Sequence, residues 1–411
     1  MKKTLFIVAC TLASFTMGAQ QQVVKDAEKA MKGGKPYTVV FEMIQPAMSD
    51  NTTAQEAITY YIPGKAGFNE YDNLLGKRQL GMGFKEGQDE VIMANALIGG
   101  YENYVKALPL DEVKDAKGKV KTKYTKEILG TIAGHYNDFA SAGVDFYNAK
   151  DYENALKAWD IFVNLSENPE NFGIKPDKVQ PDTIVAGILF NSGIVASVNG
   201  DNKLAAEKFK SAVEKQGYEN ETAWEYGLST AVQSSDADMI YFFATEGNKR
   251  YGKTNPTYIN NLINYYVLND KADEGIKFIE QAIAQQPDVA QYYALEGYLY
   301  GNKNDLEKSK ELYYKALEID PQNGLANYNL GRAIVIEASQ MDDAYDGPNY
   351  SQFKTTKLFP QLKEGAKYLE AAFEYDEPDR EEILKILDNI YYLLEDEAGL
   401  NSVKQRQLDL D

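Results

Sequence analysis

The sequence has only one cysteine and one histidine in 411 residues. A single thiol excludes a disulfide framework and any thiolate metal cluster. Basic residues are also short: 43 Lys and Arg face 62 Asp and Glu, for a formal net charge of −19. So acidic a chain repels phosphate backbones, which argues against nucleic acid as a partner. Beyond the first 20 residues no apolar run is long enough to occupy a membrane, so no stable insertion is expected. Catalytic signatures are missing too. There is no G-x-S-x-G, H-E-x-x-H, P-loop or dinucleotide fingerprint, so neither an enzyme nor a bound cofactor or metal is expected. What remains is globular in composition, 44% hydrophobic and 26% charged, and long enough to bury a large core.

Residues 1–19, MKKTLFIVACTLASFTMGA, carry two lysines, an apolar stretch from Leu5 to Met17 and small residues at the end. That pattern predicts a secretory signal cleaved after Ala19, and hence a periplasmic or secreted protein. Removing Lys2 and Lys3 takes the formal charge to −21 and leaves no cysteine. Ile7-Val8-Ala9-Cys10 loosely resembles a lipidation box. Apolar character continues past Cys10, however, as in the core of an ordinary signal.

Residues recur at a period of 34. Pro287 and Pro321 keep this step, as do Ala282 and Ala316, and Ile263, Gly297 and Gly331. Tyr293, Gly297, Tyr300, Ser309, Tyr313, Ala316 and Pro321 fall at fixed offsets in YYALEGYLYGNKNDLEKSKELYYKALEIDP, residues 292–321. Gly297 and Ser309 have little or no side chain, so two antiparallel helices can approach there while the tyrosines fill the space around them. Pro321 stops the second helix. Gly193 with Gly227 and Phe209 with Phe243 keep the same step. Upstream, Gly143, Phe146, Ala155 and Trp159 form a further unit. The unit of Gly227 is degenerate, with Met239 where a small residue belongs.

This pattern resembles the tetratricopeptide repeat, W-x2-L-G-x2-Y…A-x3-F-x2-A…P. The resemblance implies an all-α fold, an α-solenoid of antiparallel helix pairs wound as a superhelix. The expected organisation is a signal (1–19), divergent helical repeats (20–110), a Lys-rich linker (111–124), a repeat array (125–378), a C-terminal capping helix (379–397) and a tail (398–411). In the divergent region Gly100, Tyr104 and Ala107 follow YYIPGKAGFNEYDNL. The array is interrupted after Leu330-Gly331 by MDDAYDGPNYSQFKTTKLFP, read as a loop at about 341–360 before a helix resumes near Gly365. Ile383, Leu387, Ile390 and Leu394 give the capping helix one apolar stripe.

The family register also implies an inner surface lined by Asn260, Asn264, Ala294, Tyr298, Tyr328 and Arg332. Amides, phenols and one guanidinium suit an extended peptide. Repeat domains that clamp a terminal carboxylate use lysine in this row, where the present chain has Asn260, Ala294 and Tyr328, so capture of an acidic chaperone tail is not expected. The implied function is a non-catalytic exported scaffold or adaptor that holds another protein or peptide of the cell envelope. The alternative is a glycan-binding component of a surface polysaccharide-uptake system, since aromatic faces stack on sugars.

Four features have plain structural readings. His135 fits a partly buried place in the first helix of the Gly143 unit. Asp342, Asp343, Asp346 and Gly347 form a solvated loop, because Phe353 stands where a calcium loop needs a bidentate Glu. Asp182-Thr183-Ile184 matches an envelope O-glycosylation pattern at Thr183, and a helix start after Pro181 explains the same residues. Lys106, Lys114, Lys117, Lys119, Lys121, Lys123 and Lys126 form a basic cluster, offset in part by Asp111, Glu112 and Asp115. It reads as a solvated linker, with docking as the alternative.

Overall fold

The structure, a computed structural model, describes residues 20–114, 117–375 and 380–410. The expected signal, and the expected start of the capping helix at Asp379, lie outside them. Two compact units make up the chain, one ending at Met239 and the other beginning at Ile240. That division falls in the degenerate repeat.

In the first unit the helices are α1 (20–32), α2 (Tyr37–Met48), α3 (Ala57–Leu80) and α4 (Asp89–Leu110), then α5 (Thr125–Gly134), α6 (Asp138–Asn148), α7 (Tyr152–Glu167), α8 (Asp182–Val198), α9 (Asn202–Val213) and α10 (Glu221–Gln233). The next helix, α11 (Ala237–Tyr251), carries the division. Glycine sets how closely each pair can cross. A Cβ on Gly193 of α8 would stand 2.6 Å from the Phe209 ring of α9, and one on Gly143 of α6 would collide with the Trp159 indole of α7. Phe209 and Trp159 are buried at these crossings, each contributing about 2–3 kcal/mol of transfer free energy. The divergent N-terminal pair uses the same device with two glycines, Gly67 on α3 against Gly100 on α4.

The second unit continues with α12 (Thr257–Leu268), α13 (Ala272–Gln285), α14 (Ala290–Asn302), α15 (Leu306–Ile319), α16 (Gly324–Asp343), α17 (Tyr350–Phe353), α18 (Phe359–Glu374), α19 (Arg380–Leu393) and α20 (Glu397–Leu410). Gly297 and Ser309 meet as expected: the Ser309 hydroxyl donates to the Gly297 carbonyl at 2.8 Å. Gly331 of α16 lies against Gly365 and Leu369 of α18, so the interrupted pair still closes on the expected residues.

Many pairs turn on a left-handed residue followed by aspartate. Lys150, Gly200, Ser235, Asn304 and Glu395 have φ of 61°, 81°, 55°, 60° and 57°. The following carboxylate then caps the second helix: Asp201 accepts from the Leu204 amide at 3.0 Å, Asp236 from Met239 at 3.1 Å and Asp305 from Lys308 at 3.2 Å.

Three expectations need correction. The loop placed at about 341–360 is helical from Tyr350, with a π-helical turn at Lys354–Leu358 leading into α18. The stacked Tyr345 and Phe353 rings, 4.0 Å apart, order its approach. The tail at 398–411 is mostly the helix α20, whose Arg406 pairs with Glu370 at 2.5 Å and lies over Phe373, so α19 is one of a pair rather than a lone cap. The Lys-rich linker contains a two-stranded antiparallel ribbon, β1 (Val113–Lys114) and β2 (Val120–Lys121).

Candidate functional site

The sequence-predicted residues separate into three groups. Tyr298 and Arg332 line one open groove of about 290 Å³, walled by α14, α15 and α16. Tyr328 lies beneath it, 6% exposed, in the apolar cluster with Leu358, Leu362 and Ala366. Its ring supports the Arg332 guanidinium at 5.2 Å instead of facing a ligand. Ala294 is wholly buried in the core. Asn260 and Asn264 do not line the groove. Asn264 is exposed, whereas Asn260 accepts a bond from Gln291 at 3.0 Å, and Gln291 in turn accepts from Asn323 at 2.9 Å. Asn323 also caps α16 through the Ala326 amide at 2.9 Å. This amide ladder joins α12, α14 and α16. Neither Gln291 nor Asn323 was picked out by the family register, and their spacing of 32 rather than 34 hides them from it.

Within the groove, Leu306, Ala333 and Ile336 supply apolar surface, and Asn302 and Asn329 supply amides. Each amide donates to its own helix, Asn302 to the Tyr298 carbonyl at 2.8 Å and Asn329 to the Leu325 carbonyl at 3.0 Å. Tyr313 closes the bottom, 3% exposed, and burial holds its phenol above the ordinary range. Arg332 itself is exposed and makes no ion pair among the described residues. In a chain with 62 acidic residues, a stacked guanidinium without a carboxylate partner stands ready to accept one.

Elsewhere, His135 ends α5 rather than lying within α6. Its Nδ1 is 2.8 Å from the Asp138 carboxylate, and its ring packs on Phe68 and Tyr71. The Asp342 carboxylate accepts the Tyr350 hydroxyl at 2.9 Å. Pro181, not Asp182, occupies the cap position of α8. Asp182 is the first helical residue, its carboxylate accepting from the Gln216 amide at 3.2 Å, and Thr183 is exposed. No described helix is long and apolar enough to cross a membrane.

Antiparallel pairs with a small-residue crossing, an aspartate-capped turn and a proline stop define an all-α helical-repeat protein. A sequence model of the tetratricopeptide repeat matches residues 290–323, the α14–α15 pair, so the chain carries that repeat. Human protein O-mannosyl-transferase TMTC3 is 37% identical over 103 residues, which is 24% of this chain and 11% of that protein. Its mouse counterpart is 33% identical over 109 residues, 24% and 12% respectively. The chain thus spans about a tenth of these relatives. Among solved structures, a TPR repeats protein from Bacteroides fragilis is 20% identical, covering 63% of this chain and 98% of its own, with a TM-score of 0.30. YrrB, a TPR protein with an unusual peptide-binding site, is 17% identical over 50% of this chain and 96% of its own, at 0.31. Human IFIT1 is 16% identical over 83% and 72%, at 0.38.

Proposed function

We propose that this protein is an exported scaffold that holds an extended peptide or flexible segment of another envelope protein in the α14–α16 groove. The observation that carries this reading is Arg332, stacked on Tyr328, without an acid of its own, beside the half-buried Tyr298. A peptide carboxylate meets the guanidinium, the phenol and the Asn302 and Asn329 carbonyls meet backbone groups, and Leu306 and Ile336 take an apolar side chain. The signal-like segment at 1–19 supports a periplasmic or secreted location.

The test is affinity capture from envelope extracts with the chain from Gln20 onward, using wild type, Arg332→Glu and Tyr298→Ala in parallel. Wild type enriches a defined protein. Arg332→Glu lowers its recovery about tenfold and Tyr298→Ala about threefold, in line with losing one charged and one neutral contact. Equal recovery by all three removes the groove from the function. Cell fractionation tests the location: a cytoplasmic pool of uncleaved chain overturns export.

A further inference from the structure

The basic cluster is unexplained by the groove, and it sits on an unusual element. Between Lys106 and Lys126 there are seven lysines, no arginine and three acids, in a chain whose net charge is −19. The described side chains from Glu112 to Lys123 are all exposed, Val113 and Val120 at 63% and 44% among them. Described side chains so exposed gain little stability from packing, yet the base of the ribbon is firmly held. The buried Asp111 carboxylate accepts from the backbone amides of Lys123, Tyr124 and Thr125 at 2.9, 2.7 and 2.8 Å and from the Thr125 hydroxyl at 2.8 Å. Those four bonds fix where the ribbon leaves α4 and where it joins α5.

We infer that the β1–β2 ribbon is a peripheral docking element for an anionic phospholipid surface. The composition favours lipid over protein. Protein interfaces favour arginine, whose planar fork matches one carboxylate, and are depleted in lysine, a hydrated point charge on a flexible stem. Seven lysines without an arginine suit a diffuse field of headgroups, where each adds on the order of fivefold in affinity. The cross-strand pairing agrees. Val113 pairs with Lys121, so the ribbon offers apolar and cationic groups together, as the headgroup boundary does. The element is too short to span a bilayer, so the contact is reversible, and the acidity of the rest of the chain keeps its body off the membrane.

The experiment is flotation of the chain from Gln20 onward with vesicles of pure phosphatidylcholine, or of phosphatidylcholine with 40% phosphatidylglycerol, in 50 mM and 500 mM salt. Binding is expected to the anionic vesicles in 50 mM salt and to fall at least tenfold in 500 mM salt or on pure phosphatidylcholine. Replacing Lys117, Lys119, Lys121 and Lys123 by glutamate abolishes it. Replacing the same four by glutamine lowers it at least tenfold and serves if charge reversal disturbs folding. Val113→Ser with Val120→Ser lowers it two- to fourfold, with unchanged helical circular dichroism. No binding to anionic vesicles in 50 mM salt overturns the proposal, even if an acidic protein is captured instead. Equal binding to both vesicle types, or binding insensitive to all four lysines, overturns it as well.

Discussion

The α14–α15 and α3–α4 pairs solve one problem in two ways. Both bring helices into backbone contact, but the first does so with a glycine, a serine and a bond between them. Ser309 gives its hydroxyl to the Gly297 carbonyl, and Tyr313 covers the crossing. The second places Gly67 against Gly100, where a Cβ on Gly67 would lie 2.7 Å from the Gly100 Cα, and it relies on rings instead. Tyr104 stacks between Phe68 at 5.2 Å and Tyr61 at 5.9 Å. The family model matches only the first pair. A hydrogen bond demands a particular residue at a particular offset, whereas aromatic filling can be met by several sequences, and so the second pair keeps the geometry while losing the signature.

Substitutions at the crossings should therefore rank by what can move. Gly67→Val meets backbone, which cannot give, so it should cost about 3 kcal/mol or more in chemical denaturation and disrupt protection of α3 and α4. Gly297→Ala meets the Tyr313 ring at 2.7 Å and the Ser309 carbonyl at 3.1 Å. The ring can shift, and the expected cost is about 2 kcal/mol. Ser309→Ala leaves the buried Gly297 carbonyl without its second partner and should cost about 1 kcal/mol. A larger loss for Gly297→Ala than for Gly67→Val would break the comparison.

The same logic explains how much could be read in advance. Gly297, Ser309, Tyr313 and Pro321 were legible because each acts on a neighbour within one pair. So were Gly331 and Gly365, even across the insertion. Tyr328 was not. It shares an apolar cluster with Leu358, from the end of the insertion, and Leu362, just after it, and the periodicity of a single pair does not show such partners. The helix α20 was missed for a related reason. Val403 is its one fully buried side chain, and it is held by Arg406 on Glu370 and Phe373, partners more than 30 residues away that leave no periodic trace. Asn327 and Tyr293 show the converse. Both reach back to a proline carbonyl six residues earlier, Pro321 and Pro287, each at 3.0 Å, so one device persists under two unlike residues.

The two pairs also end alike, and the smallest predicted effect lies there. The helix α15 is followed by Asp320, which accepts from the nearby Gln322 amide at 2.9 Å, and α4 by Asp111, which reaches across the ribbon to residues 123–125. Burial pushes the Asp111 carboxyl up, but the bonds from Tyr124, Thr125 and Lys123 outweigh it and hold the group below its ordinary range. A lowered folded value means the stabilisation is complete above the unfolded value of about 3.9 and is lost as pH falls through the folded one. Asp111→Ala should therefore cost about 1 kcal/mol of global stability and release the amides of residues 123–125 to hydrogen exchange. The gap between wild type and variant should stay constant from pH 7 to about 4 and close only below that. Asp320→Ala, with a partner two residues away, should free nothing beyond its own turn. A gap that closes well above pH 4, or equal effects at the two aspartates, would mean that the ribbon is not pinned at Asp111.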